Sequence, residues 1–273
     1  MDTNIIRLSI FIAVLLLMAI AETLFAKKQR QQQRGQRWLT NLGLTASNIL
    51  VLKLLGPITA VAVADYALDN SWGLLSLSPI PLPFYLEIIL GVVLLDLAIY
   101  FQHVCSHKIP VLWRFHKVHH ADRDIDVTTG IRFHPIEAFL SMLYKCVVIL
   151  LIGPITISVI LFEIILNASA MFNHANVRLP TRVDRALRTV IVTPDSHRVH
   201  HSEIPAETDS NYGFFLSIWD RMFKTYTAQP SQGHDGMVIG LNEYQTLKPA
   251  SFIWCLKLPF TANASSQKLK ESP

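Results

Sequence analysis

Residues 96 to 120 read Asp96-LAIYFQ-His103-VCS-His107-KIPVLWRF-His116-KV-His119-His120. This stretch decides the fold. Its first part closes an apolar run that begins at Phe84, and its second part is a polar, histidine-dense helix. A spacing of four puts His103 and His107 on one helix face, one turn apart. His116 shares a face with both His119 and His120, and the adjacency of His119 and His120 lets one helix offer ligands to two metals. The pattern returns as His197-Arg-Val-His200-His201, and single histidines stand between at His134 and His174.

Eleven histidines occur in the chain, and only His234 lies away from these groups. Imidazole is an intermediate ligand that suits iron, zinc, copper and nickel. Ten imidazoles exceed what one ion can use, whereas two ions with four or five nitrogens each fit the count. A thiolate site is excluded, because Cys105, Cys146 and Cys255 are too few and too far apart; all three are expected to be buried small hydrophobes. A carboxylate-bridged bundle needs inward glutamates with Glu-x-x-His pairs, and no such set is present. A single histidine is more often a satisfied polar side chain than a ligand. Two H-x-x-H-H groups plus an H-x-x-x-H pair, ordered toward one membrane face, are not explained that way.

The surrounding sequence is that of a membrane protein. Of the 273 residues 51% are hydrophobic and 16% charged, with mean hydropathy +0.35. A soluble domain carries about 25% charge. Residues 5 to 26 are long enough to cross a hydrocarbon core of about 30 Å. The MDTN start and the long run favour a retained helix over a signal peptide. Residues 27 to 37, KKQRQQQRGQR, hold five Lys/Arg and no acid, which places them in the cytoplasm and the N-terminus outside. A second apolar run covers 38 to 64, interrupted at Gly56-Pro57; a third covers 84 to 104; a fourth and fifth cover 138 to 172, broken at Gly153-Pro154, where a helical hairpin is expected. The tetrapeptide GPIT occurs at both breaks, and a hairpin at the first would change the span count by one. With the simple count every histidine group lies on the cytoplasmic side. The expectation is an all-α membrane protein of four to five transmembrane or hairpin helices with a cytosolic helical cap. It divides into N-terminal helices and linker (1–83), a catalytic domain (84–230) and a C-terminal tail (231–273). Residues 251 to 260 in that tail read as an interfacial segment or as ordinary packing.

At its histidines the chain resembles the fatty acid hydroxylase and sterol desaturase superfamily. The matching text runs from Asp96 through His103-VCS-His107, LWRF-His116-KV-His119-His120-AD, RF-His134-PIE, FN-His174-AN and TPDS-His197-RV-His200-His201-S to NYG and WDRMFKTY, in the expected order over residues 92 to 226. The resemblance implies a non-haem di-iron centre, molecular oxygen, a lipid substrate such as a sterol, fatty acyl chain or alkyl lipid, and hydroxylation or desaturation. It carries the metal-ligand role onto His103, His107, His116, His119, His120, His197, His200 and His201, with His174 an intermediate ligand and His134 a further one. Residues 1 to 273 hold no cytochrome b5 or reductase segment, so electrons are expected from a partner of cytochrome b5, ferredoxin or reductase type. Nucleic acid is not an expected partner.

Asp96 sits two turns before His103 on the same face, within an apolar run. A buried carboxylate there needs a partner, and a ligand imidazole is the one expected. Asp195, Asn211, Asp220 and Glu137 are further candidates to support the ligands. Tyr100 and Trp113 are expected to face the lipid interface. For Arg123, Arg132 and Arg198 two readings stand equal: phosphate headgroup contacts, or cytoplasmic surface charge. Two rival functions remain at this level. A zinc pair activating water would make a membrane lipid hydrolase, active without oxygen or reductant. A metal transporter or haem-binding protein is the non-enzymatic reading; transport would place ligands along a mid-membrane path, and bis-histidine haem needs two ligands rather than ten.

Overall fold

A computed structural model describes residues 3–77 and 82–261. The part of the expected tail beyond Thr261 lies outside the described residues. Among the described residues thirteen α-helices follow in order: α1 Thr3–Leu24, α2 Arg34–Lys53, α3 Ala60–Asp69, α4 Phe84–Lys108, α5 Pro110–His120, α6 Pro135–Ile152, α7 Thr156–His174, α8 Thr181–Leu187, α9 Pro194–His200, α10 Pro205–Thr208, α11 Ile218–Met222, α12 Gly233–Gly236 and α13 Phe252–Lys257. Among the described residues there is no β-strand, only three isolated bridges. The protein is an all-α membrane protein. By length and composition α1, α4, α6 and α7 are each able to cross a bilayer.

The long helices run between two ends. One end is marked by Gly153, which takes the left-handed conformation (φ 66°) that closes α6 and lets the chain turn into α7. A side chain at Gly153 would press on the Trp72 carbonyl oxygen, 2.2 Å from an added Cβ. The other end is marked by the histidines. The α6–α7 reversal is the hairpin expected at the second GPIT. The first behaves differently. Arg37 and Asn41 on α2 bond Asp122 and Thr128 at the histidine end, whereas Asp65 on α3 bonds Thr156 at the opposite end. The chain therefore bends between α2 and α3 and continues in one direction. The run from 38 to 64 is two stacked helices, not a single continuous helix and not a hairpin.

The core inside the helices joins Ala60 and Ala64 of α3, Leu95 and Ile99 of α4, Ile149 of α6, and Val159 and Phe162 of α7. Gly91 on α4 permits the close approach to α7, since an added Cβ would meet Ser158 at 2.6 Å. A second cluster ties Leu44 of α2, Val118 and Ala121 at the end of α5, and Cys255 and Leu258 of the tail. So the segment 251–260 packs on the cap through Cys255 and Leu258, while Ile253 and Phe260 stay exposed. Cys146 and Cys255 are buried as expected, but Cys105 is exposed on the outer face of α4.

Candidate metal centre

Nine histidines converge at one end of the bundle in two adjoining groups. His103, His107, His116, His120 and His200 form one, and His119, His174, His197 and His201 the other; in each the ligand nitrogens lie within 4.8 Å of one another. All but His107 are classed as buried, and the His107 side chain is itself 1% exposed. The two H-x-x-H-H segments are used in exchanged fashion. In α5 the i,i+4 pair His116 and His120 serves the first group while His119 crosses to the second. In α9 and the residue after it, His197 and His201 serve the second group while His200 crosses to the first. Ring contacts knit the groups together, with His120 stacked on His201 at 4.6 Å and His197 on His200 at 5.0 Å.

Local structure fixes each ligand helix. α9 begins with a capping box: Thr193 accepts from the Ser196 amide, its own amide donates to Ser196 Oγ at 3.0 Å, and Pro194 occupies the first turn. That start sets the register of His197 and His200. α5 begins with Pro110 right after α4 ends, so the two histidine helices meet at a corner.

Four of the outward ring nitrogens are tied down by backbone carbonyls. Nδ1–H of His103 donates to Tyr212 O at 2.7 Å, that of His200 to Ser210 O at 2.7 Å, that of His174 to Ala170 O at 2.6 Å and that of His119 to Arg132 O at 3.3 Å. A carbonyl only accepts, so the proton of each neutral ring sits on Nδ1 and the Nε2 lone pair points inward. His116 Nδ1 lies 2.6 Å from Glu137 Oε1. Inside the groups, Nε2 of His103 is 3.1 Å from Nε2 of both His116 and His200, and Nε2 of His174 is 3.1 Å from that of His119 and 3.0 Å from that of His197. In the His103–His200 and His119–His174 pairs both tautomers are fixed by carbonyls, so lone pairs face each other and repel unless a cation lies between them. Protonation is the alternative, and burial followed by the neighbouring imidazoles opposes it: His119, His120, His197 and His201 are held well below the ordinary histidine range, and His200 is lowered to about 3. Nε2 of His107, His120 and His201 is buried with no hydrogen-bond partner. Facing lone pairs 3.0–3.1 Å apart suit metal–nitrogen bonds of about 2.0–2.1 Å. The residues fit two metal ions, one bound by five nitrogens and one by four.

His134 stands outside both groups. It precedes Pro135, takes an extended conformation, and caps α6 by accepting from the Ile136 amide at 3.1 Å, while Nε2 faces Leu256 O at 3.3 Å.

The supporting residues differ from the expectation. Asp96 meets no imidazole; its Oδ2 accepts from Trp219 Nε1 at 2.7 Å and from the Leu216 amide at 3.1 Å. The shared face was right, but the segment around Trp219 covers it first. Asp220 acts one step away, accepting from the amides of Tyr212 and Gly213 and so holding the carbonyl that orients His103. Asn211, at φ 51°, bridges Ser196 and Thr227. Asp195 pairs with Arg198 and faces Lys27 at 3.4 Å. Glu137 makes the direct imidazole contact expected of Asp96; its signal was its place one turn after His134. Tyr100 is buried against Tyr212 and Phe223, not at the lipid interface, and the Trp113 ring lies tilted against His107 with centroids 5.0 Å apart. Arg132 and Arg198 are buried in internal contacts, so neither meets a headgroup, and Arg123 is half-buried with a bond to Gln245. Sequence reasoning also missed Arg37, buried between Asp122 at 2.8 Å and Asp126 at 2.6 Å.

A cavity of about 210 Å³ opens beside the first group. His103 and His116 close one end; Ile99, Met142, Leu166 and Lys145 are among the side chains that line the rest, between α4, α6 and α7.

The sequence model of the fatty acid hydroxylase family matches residues 88–225, a segment that holds all nine histidines. The chain belongs to the fatty acid hydroxylase family. It is 26% identical to the ornithine lipid hydroxylase of Rhizobium tropici over 230 residues, 81% of this chain and 67% of that protein. It is 30% identical to alkylglycerol monooxygenase of Xenopus tropicalis over 216 residues, 78% of this chain and 46% of that protein, and 32% identical to that of Danio rerio over 146 residues, 54% and 31%. The chain thus spans less than half the length of these alkylglycerol monooxygenases. No solved structure matches it significantly.

Proposed function

We propose that this family member is a membrane di-iron hydroxylase that inserts one atom of O2 into a C–H bond of a lipid. One observation carries the reading: two adjoining nests of imidazole nitrogens, five and four in number, beside a largely apolar cavity between helices able to cross a bilayer. The ligands proposed are His103, His107, His116, His120 and His200 for one ion and His119, His174, His197 and His201 for the other. The names of the relatives, a lipid hydroxylase and alkylglycerol monooxygenases, support a lipid substrate and oxygen as co-substrate.

Iron bound there supplies oxygen reduction and C–H oxidation; overall, C–H, O2, two electrons and two protons give C–OH and water. The chain's own residues supply the rest. The nine imidazoles would hold the two ions through nitrogen. The carbonyls of Tyr212, Ser210, Ala170 and Arg132 lock the tautomers that make Nε2 available. Glu137 adds a negative charge behind His116, which strengthens that ligand. Ile99, Met142, Leu166 and Phe214 hold the lipid segment beside the metals and exclude water from it. Electrons come from a separate donor of cytochrome b5, ferredoxin or reductase type. The basic linker at 27–37 supports a cytoplasmic location for the metal end.

The test is incorporation of labelled oxygen. Purified, iron-loaded full chain, given lipid extract, reductant and ¹⁸O2, is expected to place one ¹⁸O in a hydroxylated lipid and to be inactive without O2. Product formed anaerobically, with oxygen from water, would replace this reading with a zinc-dependent lipid hydrolase.

A further inference from the structure

Three helices able to cross a bilayer share one ion cluster. Lys145 of α6 donates to Glu163 Oε1 of α7 at 2.8 Å, and Arg7 of α1 pairs with the other oxygen, Oε2. Charge at that depth is costly unless it is paired. Two cations here share one carboxylate, and among the described residues Glu163 is the acid paired with either. One positive charge is therefore uncompensated. Lys145 lies on the cavity wall, eight residues along α6 from Glu137, a rise of about 12 Å from the metal end. An ammonium has three donors and Glu163 takes one. A cavity for a plain hydrocarbon chain has no use for an ammonium on its wall. A staple between helices accounts for Glu163, but not for a second cation set on the cavity wall.

We propose that Lys145 is the specificity-determining residue of this cavity, binding an anionic oxygen, carboxylate or phosphate, of an amphiphilic lipid. The anion supplies the missing counter-charge. Its anchoring fixes which carbon of the ligand reaches the histidines. The proposal rests on the hydroxylase reading for the purpose of the cavity, not for the binding itself.

The experiment is binding by the metal-loaded full chain in detergent, without oxygen or reductant, so that absence of turnover leaves the result readable. Three ligands of equal chain length are compared: a fatty acid, an alkyl phosphate and the fatty alcohol. Wild type is expected to prefer the anions to the alcohol by about ten- to a hundred-fold, the range for a hydrogen bond to a charged group. Which anion binds better identifies the source. Lys145→Met is expected to abolish the preference with alcohol affinity unchanged, and Lys145→Arg to retain it. An alcohol that binds wild type as tightly as the anions overturns the proposal, whatever the fate of the variants. So does a Lys145→Met protein that keeps the preference, or that weakens all three ligands alike, as a structural staple would.

Discussion

Glu137 places a carboxylate oxygen 2.6 Å from His116 Nδ1, and removing its charge leaves the ring in place while weakening it as a ligand. Glu137→Gln is expected to lower metal affinity of the first group by about ten- to a hundred-fold, the usual size of such an effect, with helix content unchanged by circular dichroism. Equal metal retention in chelator competition would refute this role. Proton binding gives a second test. Burial, and after it the neighbouring imidazoles, depress the folded-state values of His119, His120, His197, His200 and His201. The unfolded chain binds protons near pH 6.5, so it holds more protons than the folded chain below that point. Stability of metal-free protein is therefore intact above about pH 6.5 and declines as pH falls from there, toward about 3 for His200. The thermal midpoint of chelator-treated protein should drop between pH 7 and 5; a flat profile contradicts buried neutral histidines.

At the level of elements, the histidine groups depend on two close contacts. Gly130 presses on α7 so tightly that an added Cβ would lie 2.6 Å from the Ala170 carbonyl oxygen, which is the acceptor that orients His174. Gly130→Ala is expected to disturb the second group selectively, giving substoichiometric metal with one ion retained; loss of neither ion would show the contact to be incidental. Arg37 locks α2 to the loop after α5 through Asp122 and Asp126. Asp122 is held down to about 2 against its own burial by Arg37 and then Arg132. Arg37→Met strands two buried carboxylates and is expected to cost about 3–5 kcal/mol, seen as a lower thermal midpoint; an unchanged midpoint would contradict the lock. Helix existence and sense were legible from the apolar runs and the Gly-Pro breaks. The difference between the two GPIT turns was not, because a left-handed glycine followed by proline ends a helix without saying where the next one goes. Gly56 and Gly153 have nearly equal φ, 61° and 66°, yet the contacts of α3 and α7 send the chain opposite ways.

Across the whole molecule, spacing showed which histidines share a face, and hence that α5 divides its imidazoles between two groups. It did not show which nitrogens from other helices complete each group, since that depends on how α4, α5, α7 and α9 meet. Asp96 illustrates the limit: periodicity put it on the His103 face, but Trp219, 123 positions later, takes its carboxylate. His134 illustrates another, because the Pro135 that follows it marks a helix cap. If nine imidazoles in groups of five and four hold two metal ions, metal per chain in purified protein reads this out, for wild type and for His120→Ala and His201→Ala, one from each group. Wild type is expected to hold about two irons per chain and both variants to fall sharply while the helical fold persists. A single ion in wild type, or variants that keep the full metal content, would contradict it.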